Sequence, residues 1–124
     1  NQLQPFCELK GQFREQSGYQ AIKEYFETGN VLPEVLFCAN DEMAIGVINY
    51  LNEMKVDIPK VMKIIGFDNI ELGKYIKPEL TTIDVNRAEW ARNLAESIVS
   101  AIEGRTAEIQ KYDARFAIIR RQTF

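Results

Sequence analysis

Polar side chains follow two apolar runs of the chain, and their types suit recognition of a small polar molecule. The run from Val35 to Ala39 ends in Asn40 and Asp41, and the run Lys63 to Phe67 ends in Asp68. Amide and carboxylate groups bind hydroxyls, and a charged acceptor makes the stronger hydrogen bond. Open α/β sheets bind ligands beyond the carboxyl ends of their strands. The two strand ends therefore predict a small-molecule site.

The residue types of the chain argue against a catalytic site and against a metal-binding site. The chain contains no His, the commonest general base and a frequent metal ligand, and no Gly-x-Ser-x-Gly esterase motif. Asp41 and Asp68 with Lys63 could suggest a phosphoacceptor receiver domain, but Lys63 alternates away from the strand end. We therefore expect no enzyme, no catalytic residue, no metal site and no cofactor.

Strand-like and helix-like segments alternate along the chain, which predicts an α/β fold with a parallel sheet flanked by helices. Ser17 is expected to cap the first helix, and Gly29 with Asn30 to close it. The predicted strands are 6–9, 36–39, 61–65 and 115–119, with an extended segment at 80–84. The predicted helices are 17–28, 41–55, 70–76 and 87–103.

Composition limits the partners of this segment. Its 124 residues, 46% of them hydrophobic, suffice for one packed domain or part of one. The net charge of -3 argues against a DNA-binding surface. No apolar run approaches the roughly 20 residues of a membrane helix, and the first residues lack a signal pattern. We expect a cytoplasmic protein without membrane contact, and the absence of an initiator Met suggests a fragment of a longer chain.

Two cysteines and one isoleucine are open to more than one interpretation. Cys7 and Cys38 lie in apolar stretches without CxxC spacing, so we favour reduced core residues over a disulfide. In the helix predicted from Asp41, Ile45 falls outside the apolar arc, among polar residues. Such an isoleucine is either an ordinary surface residue or part of a contact with a partner.

Three motifs resemble, in order and spacing, those of the LacI/GalR family of bacterial transcription regulators. They are the Asn-Asp-Glu-Met-Ala-Ile-Gly run from Asn40, the Ile-Gly-Phe-Asp-Asn run from Ile65 and the Pro-Glu-Leu-Thr-Thr-Ile run from Pro78. The segments around Gly11, Ser17 and Ile118 agree as well. The resemblance covers nearly all of the chain. It implies the carboxyl-terminal part of an effector-binding domain, with a bilobal periplasmic-binding-protein-like type I fold and without the DNA-binding head.

The resemblance also implies roles for five residues. Phe13 would place an aromatic ring against a sugar or purine, and Asn40 and Asp68 would bind the same ligand. The alternatives are a Phe13 ring tucked under its own loop, a purely capping Asn40 and a turn-forming Asp68. Ile45 and Tyr75 would lie at the interface of a homodimer. Many sugar-responsive members have a polar residue where this chain has Val85, which leaves the ligand's identity open.

The resemblance further divides the chain between two lobes. Residues 1–79 and 109–124 would belong to the carboxyl lobe, and residues 80–108 to a crossover and a helix of the amino-terminal lobe. Without that lobe, the apolar stripe of this helix would be exposed and could drive pairing or swapping. The implied function is sensing a sugar or related metabolite and coupling it to operator DNA through a separate helix-turn-helix head. The alternative is an extracytoplasmic sugar-binding protein of an uptake system.

Overall fold

The computed structural model describes residues 4–105 and 115–124. Within them, helices and strands alternate as the sequence predicts. The strands are β1 (Val35–Phe37), β2 (Lys63–Phe67), β3 (Thr81–Asp84) and β4 (Ala117–Ile119). The helices are α1 (Glu15–Glu27), α2 (Asp41–Glu53) and α3 (Arg87–Ile102), with a single 3-10 turn over Glu71–Lys74.

The four strands form one sheet in the order β1, β2, β3, β4. The first three are parallel, with Phe37 opposite Ile65 and Phe67 opposite Ile83, so their carboxyl ends share one edge. The predicted α/β class is confirmed, but β4 is antiparallel to β3 and makes the sheet mixed. Ala117 pairs with Asp84, so the chain re-enters the sheet at the edge where β3 left it.

Local hydrogen bonds explain where the first two helices begin. Asn40 caps α2 as predicted, because its side-chain oxygen accepts from the Met43 amide at 2.9 Å. Helix α1 begins two residues before the predicted cap. Ser17 lies in its first turn and accepts from the Gln12 amide at 2.9 Å. The predicted strand at residues 6–9 does not form.

The core lies between α1, α2 and one face of the sheet. The two helices approach closely at two glycines, since a Cβ on Gly18 would meet the Met43 backbone and one on Gly46 the Glu15 carbonyl. The buried hydrophobic residues are Ile22, Cys38, Ala44, Ile45, Val47, Ile48, Tyr50, Leu51, Met62, Ile64 and Leu80.

Ile45 belongs to this core, so the expectation that it lies on an exposed helix face is wrong. Its side chain is 3% exposed. Asp41, Ile45 and Asn52 share one face of α2 at helical spacing. Asp41 accepts from the Ile70 amide at 2.8 Å, and Asn52 donates to the Lys77 carbonyl at 2.9 Å. These bonds tie both ends of the segment 70–77 to that face, and Ile70 and Ile76 pack against the buried cluster that includes Ile45.

The opposite face of the sheet and helix α3 expose apolar side chains. Phe37 of β1 and Ile118 of β4 are 56% and 68% exposed. No residue of α3 is buried, and its stripe carries Trp90, Leu94 and Ile98, each about half exposed. The predicted stripe therefore lies open in the part of the chain that the structure describes.

The predicted lobe boundary at residue 80 is wrong for residues 80–84. Leu80 is fully buried, and β3 pairs with β2 and β4 within the same sheet. Any crossing to a second lobe therefore begins after Asp84. The expected return to the carboxyl lobe at residue 109 lies outside the described residues.

No helix in residues 4–105 and 115–124 is both long and apolar enough to cross a membrane. The same residues hold no group of three or more His, Cys, Asp or Glu side chains arranged to bind a metal ion.

Candidate functional site

The carboxyl edge of the parallel strands brings the expected polar residues to one end of the molecule. Asn40 follows β1 and Asp68 follows β2, and these strands are neighbours in register. The side-chain nitrogen of Asn40 donates to the Phe13 carbonyl at 2.9 Å, which joins the loop before α1 to this edge. Phe13, Asn40 and Asp68 therefore lie around the same end of the sheet.

Phe13 presents its ring to solvent. The residue has a left-handed backbone with φ of 58°, and its side chain is 64% exposed. The Ser17 hydroxyl holds the loop by accepting from the amides of Gln12 and Arg14 and donating to the Arg14 carbonyl. The ring is not tucked under its own loop, so one aromatic face is available to a ligand.

Both polar atoms of the Asn40 side chain make hydrogen bonds within the protein. Its oxygen caps α2, and its nitrogen tethers the Phe13 loop. An amide oxygen has two lone pairs and an amide nitrogen two hydrogens, so one of each stays available for a ligand. Asn40 therefore caps α2 as predicted, and ligand binding by the same side chain stays a prediction.

Asp68 is half-buried at the end of β2. Its amide donates to the Ile83 carbonyl at 2.9 Å, which fixes the backbone at the end of β2. Its side chain makes no hydrogen bond or ion pair with any residue in 4–105 and 115–124. A half-buried carboxylate without a partner can accept hydrogen bonds from the hydroxyls of a bound molecule.

Asp41, the second of the two polar residues that follow β1, lies beneath this site with no exposed surface. Its carboxylate accepts from the Thr82 hydroxyl at 2.5 Å and from the Ile70 amide at 2.8 Å. Burial raises the pKa of Asp41 above its usual value, although the Thr82 and Ile70 hydrogen bonds act in the opposite direction. The nearby Asp68 charge raises the pKa of Asp41 further, and Arg121 lowers it.

A second polar cluster extends from the site to the end of β3. Arg121 donates to the Asn69 side-chain oxygen at 2.8 Å and to the Leu80 carbonyl at 2.7 Å. Asn69 in turn donates to the Asp84 carboxylate at 3.2 Å. Sequence reasoning missed this cluster because Arg121 and Asn69 are far apart in the chain, and no motif relates them.

The cysteines and the apolar cleft beside β1 lie apart from the site. Both thiols are unpaired, and Cys38 is 5% exposed. Burial, with a smaller contribution from the Asp41 charge, raises the pKa of Cys38 to about 12. A cleft of about 930 Å³ between the segment from Gln4 to Leu9, α1 and β1 includes Cys7 and Cys38 but not Phe13, Asn40 or Asp68.

The two expected interface residues are in different environments. Tyr75 is 70% exposed, and its hydroxyl donates to Glu71 at 3.2 Å. Ile45 is buried within the chain and offers almost no surface to a partner. Only Tyr75 is available for a contact between protomers in this conformation.

Known proteins are similar to this chain in both sequence and fold. A family model described as a periplasmic binding protein-like domain matches residues 2–124. The PurR helix-turn-helix-type transcriptional repressor of Haemophilus influenzae is 33% identical over 110 residues, which is 89% of this chain and 32% of that protein. The chain thus spans about a third of the length of this relative.

Solved structures agree with the sequence comparison. A sugar-binding LacI-family regulator from Enterococcus faecalis is 37% identical, with a TM-score of 0.79 over 92% of this chain and 42% of that one. A LacI-family regulator from Enterococcus faecium with bound ribose is 32% identical, with a TM-score of 0.76 over 93% of this chain and 42% of that one. The chain therefore belongs to the periplasmic binding protein-like domain family, in the branch formed by LacI/GalR-type regulators.

Proposed function

We propose that this chain is the effector-sensing part of a bacterial transcription regulator that binds a sugar or a related small metabolite. One observation carries the proposal: the Asp68 carboxylate, which has no partner among the residues that the structure describes, lies at the same sheet edge as the exposed Phe13 ring and Asn40. The similarity to a LacI-family regulator with bound ribose supports a sugar as the ligand class. Relatives named as transcriptional repressors favour a regulator over an uptake receptor of similar fold.

The three side chains suit the two kinds of surface on a sugar. A sugar ring has an apolar face of C–H groups, which stacks on an aromatic ring such as that of Phe13. Its hydroxyls donate to the Asp68 carboxylate, and a charged acceptor makes these bonds stronger than neutral ones. Asn40 adds one donor and one acceptor and is already fixed in place by its two protein partners.

Binding is coupled to DNA through the arrangement of two lobes. In this proposal the four-stranded sheet belongs to one lobe, and the open stripe of α3 packs on the other. The effector lies between them and shifts their arrangement only as far as its affinities for the two arrangements differ. A separate helix-turn-helix head reads the operator. This segment, with its net charge of -3, does not contact DNA.

The regulator acts as a cytoplasmic homodimer in this proposal. Two heads must be held at a fixed separation to contact the two half-sites of an operator. Tyr75 supplies an exposed aromatic side chain for the protomer interface.

Calorimetric titration of the full-length protein tests the proposal, with D-ribose, D-glucose and adenine as probes. We expect D-ribose or D-glucose to bind, and we expect Asp68→Ala to weaken that binding by about 1.5 to 3 kcal/mol through loss of a charge-assisted hydrogen bond. Asp57→Ala is the control, because Asp57 pairs with the exposed Lys60 side chain and lies outside the site. Equal affinities for wild type and Asp68→Ala would remove Asp68 from the site. Absence of binding by both sugars, including the case in which only adenine binds, would contradict the proposed ligand class.

A further inference from the structure

The Asp68 carboxylate is carried by a turn with an unusual backbone. Asp68 has φ of 111° and Asn69 has φ of 51°, values that residues other than glycine rarely adopt. Each such residue costs free energy, so two in succession persist only where surrounding contacts hold them. What holds this turn therefore decides where the Asp68 carboxylate points.

Both amides that follow Asp68 are held by Asp41, one directly and one through a hydroxyl. The Ile70 amide donates to Asp41 Oδ2 at 2.8 Å. The Asn69 amide donates to Thr82 Oγ1 at 3.3 Å, and that hydroxyl donates to Asp41 Oδ1 at 2.5 Å. Each carboxylate oxygen of Asp41 thus supports one of the two residues after Asp68.

The surroundings of Asp41 are shaped to keep a carboxylate at this place. Gly66 of β2 leaves the necessary space, since a Cβ there would collide with Asp41 Oδ1. Asp41 is the first residue of α2, where the helix dipole favours a negative charge. Its side chain is fully covered and does not face the site. Asp41 therefore acts on the site through the turn.

We propose that Asp41 is a positioning residue for effector binding: its buried carboxylate, with Thr82, holds the Asp68–Asn69 turn in the conformation that presents Asp68 to the effector. This inference rests on the proposed function. It makes effector affinity depend on a side chain that never touches the effector. Asn at position 41 can accept from Ile70 only while donating to Thr82, so the two charge-assisted hydrogen bonds that the carboxylate accepts are not both preserved.

Amide hydrogen exchange in the full-length protein tests the positioning without any ligand. Peptides spanning residues 68–72 are compared by mass spectrometry in wild type, Asp41→Asn and Thr82→Val. We expect exchange in this segment to become about tenfold faster or more in both variants, because the amides of Asn69 and Ile70 lose the hydrogen bonds that protect them.

Thr123→Val is the matched control. Thr123 is a fully buried threonine that also makes two hydrogen bonds, accepting from the Thr81 amide at 2.8 Å and donating to the Ile64 carbonyl at 2.7 Å. These contacts lie at the opposite ends of β2 and β3 from the Asp68 turn. We expect Thr123→Val to leave exchange in residues 68–72 unchanged.

Binding of the tightest of D-ribose, D-glucose and adenine completes the test. We expect its Kd to rise about tenfold or more in Asp41→Asn and Thr82→Val and to stay unchanged in Thr123→Val. Unchanged exchange in residues 68–72 would overturn the inference, as would unchanged affinity in Asp41→Asn beside lost affinity in Asp68→Ala. Unchanged affinity in Asp68→Ala itself would overturn the proposed role of Asp68 and the inference with it. If no probe binds, the exchange comparison alone decides whether Asp41 holds the turn.

Discussion

Asp41 and Asp68 follow neighbouring strands at the same sheet edge, but they differ in burial and in hydrogen bonding. Asp41 is fully buried, and both of its oxygens accept hydrogen bonds. Asp68 is half-buried and has no side-chain partner in residues 4–105 and 115–124. A buried carboxylate with its acceptors satisfied supports structure, whereas a partnerless one at an edge can bind hydroxyls.

The raised pKa of Asp41 makes part of the stability depend on pH. Because the folded protein keeps the Asp41 proton to a higher pH than the unfolded chain, its stabilising contribution is complete below the unfolded pKa of about 3.9. That contribution is lost as pH rises through the folded pKa. We therefore expect wild type to lose stability relative to Asp41→Asn as pH rises from about 3.9. Urea unfolding of wild type and Asp41→Asn at a series of pH values above about 3.9 measures the difference in their free energies of unfolding. A difference that does not change with pH would contradict a raised pKa for Asp41.

At the scale of elements, close contact between α1 and α2 sets the position of the site. Asn40 caps α2 and binds the loop before α1, so the two helices carry Phe13 and Asn40 together. Their approach depends on Gly18 and Gly46, which leave room for backbone atoms of the partner helix. Without this approach, the Phe13 ring would not stand beside the sheet edge.

Gly46→Ala should therefore destabilise the protein, although alanine usually favours a helix. The added Cβ would collide with the Glu15 carbonyl, and such overpacking typically costs about 1 to 3 kcal/mol. Gly73→Ala is the control, because a Cβ there would meet its nearest atom, in Leu80, at an ordinary 3.5 Å. Urea unfolding should show a loss for Gly46→Ala only; a gain of stability at Gly46 would refute the close-packed helix contact.

At the scale of the whole molecule, the apolar surfaces that remain exposed indicate contacts beyond this chain segment. The stripe on α3 and the uncovered sheet face carry large apolar side chains, and extended apolar patches mark surfaces that pack on other parts of a protein. The chain spans about a third of the length of its relative PurR.

The proposed dimer interface makes a prediction at this scale. Tyr75→Lys should place a charge at the interface in full-length protein and shift it toward monomers, because burying an unpaired charge is costly. Val31→Lys is the control, since Val31 is also a large hydrophobic residue with an exposed side chain (77%), and it lies in a different segment of the chain. Sedimentation velocity distinguishes monomer from dimer. A dimer that persists in Tyr75→Lys would remove Tyr75 from the interface.

Ile45 shows that the spacing of apolar residues within one helix does not by itself predict which side chains are buried. Helical spacing correctly separated Ile45 from the main apolar arc of α2. Ile45 is nevertheless buried, in a cluster against which Ile70 and Ile76 also pack. Periodicity predicts which residues share a face of a helix, but it does not predict which of these faces pack against other parts of the protein.

Sequence alone determined the α/β class, most helix and strand positions, the Asn40 cap and the family, because each depends on local pattern or ordered motifs. Tertiary structure decided the burial of Ile45, the antiparallel direction of β4 and the place of Asp41 under the Asp68 turn. Each of these rests on contacts between residues far apart in the chain. Thr82 lies 41 residues from the Asp41 carboxylate that it contacts, and only the folded sheet brings them together.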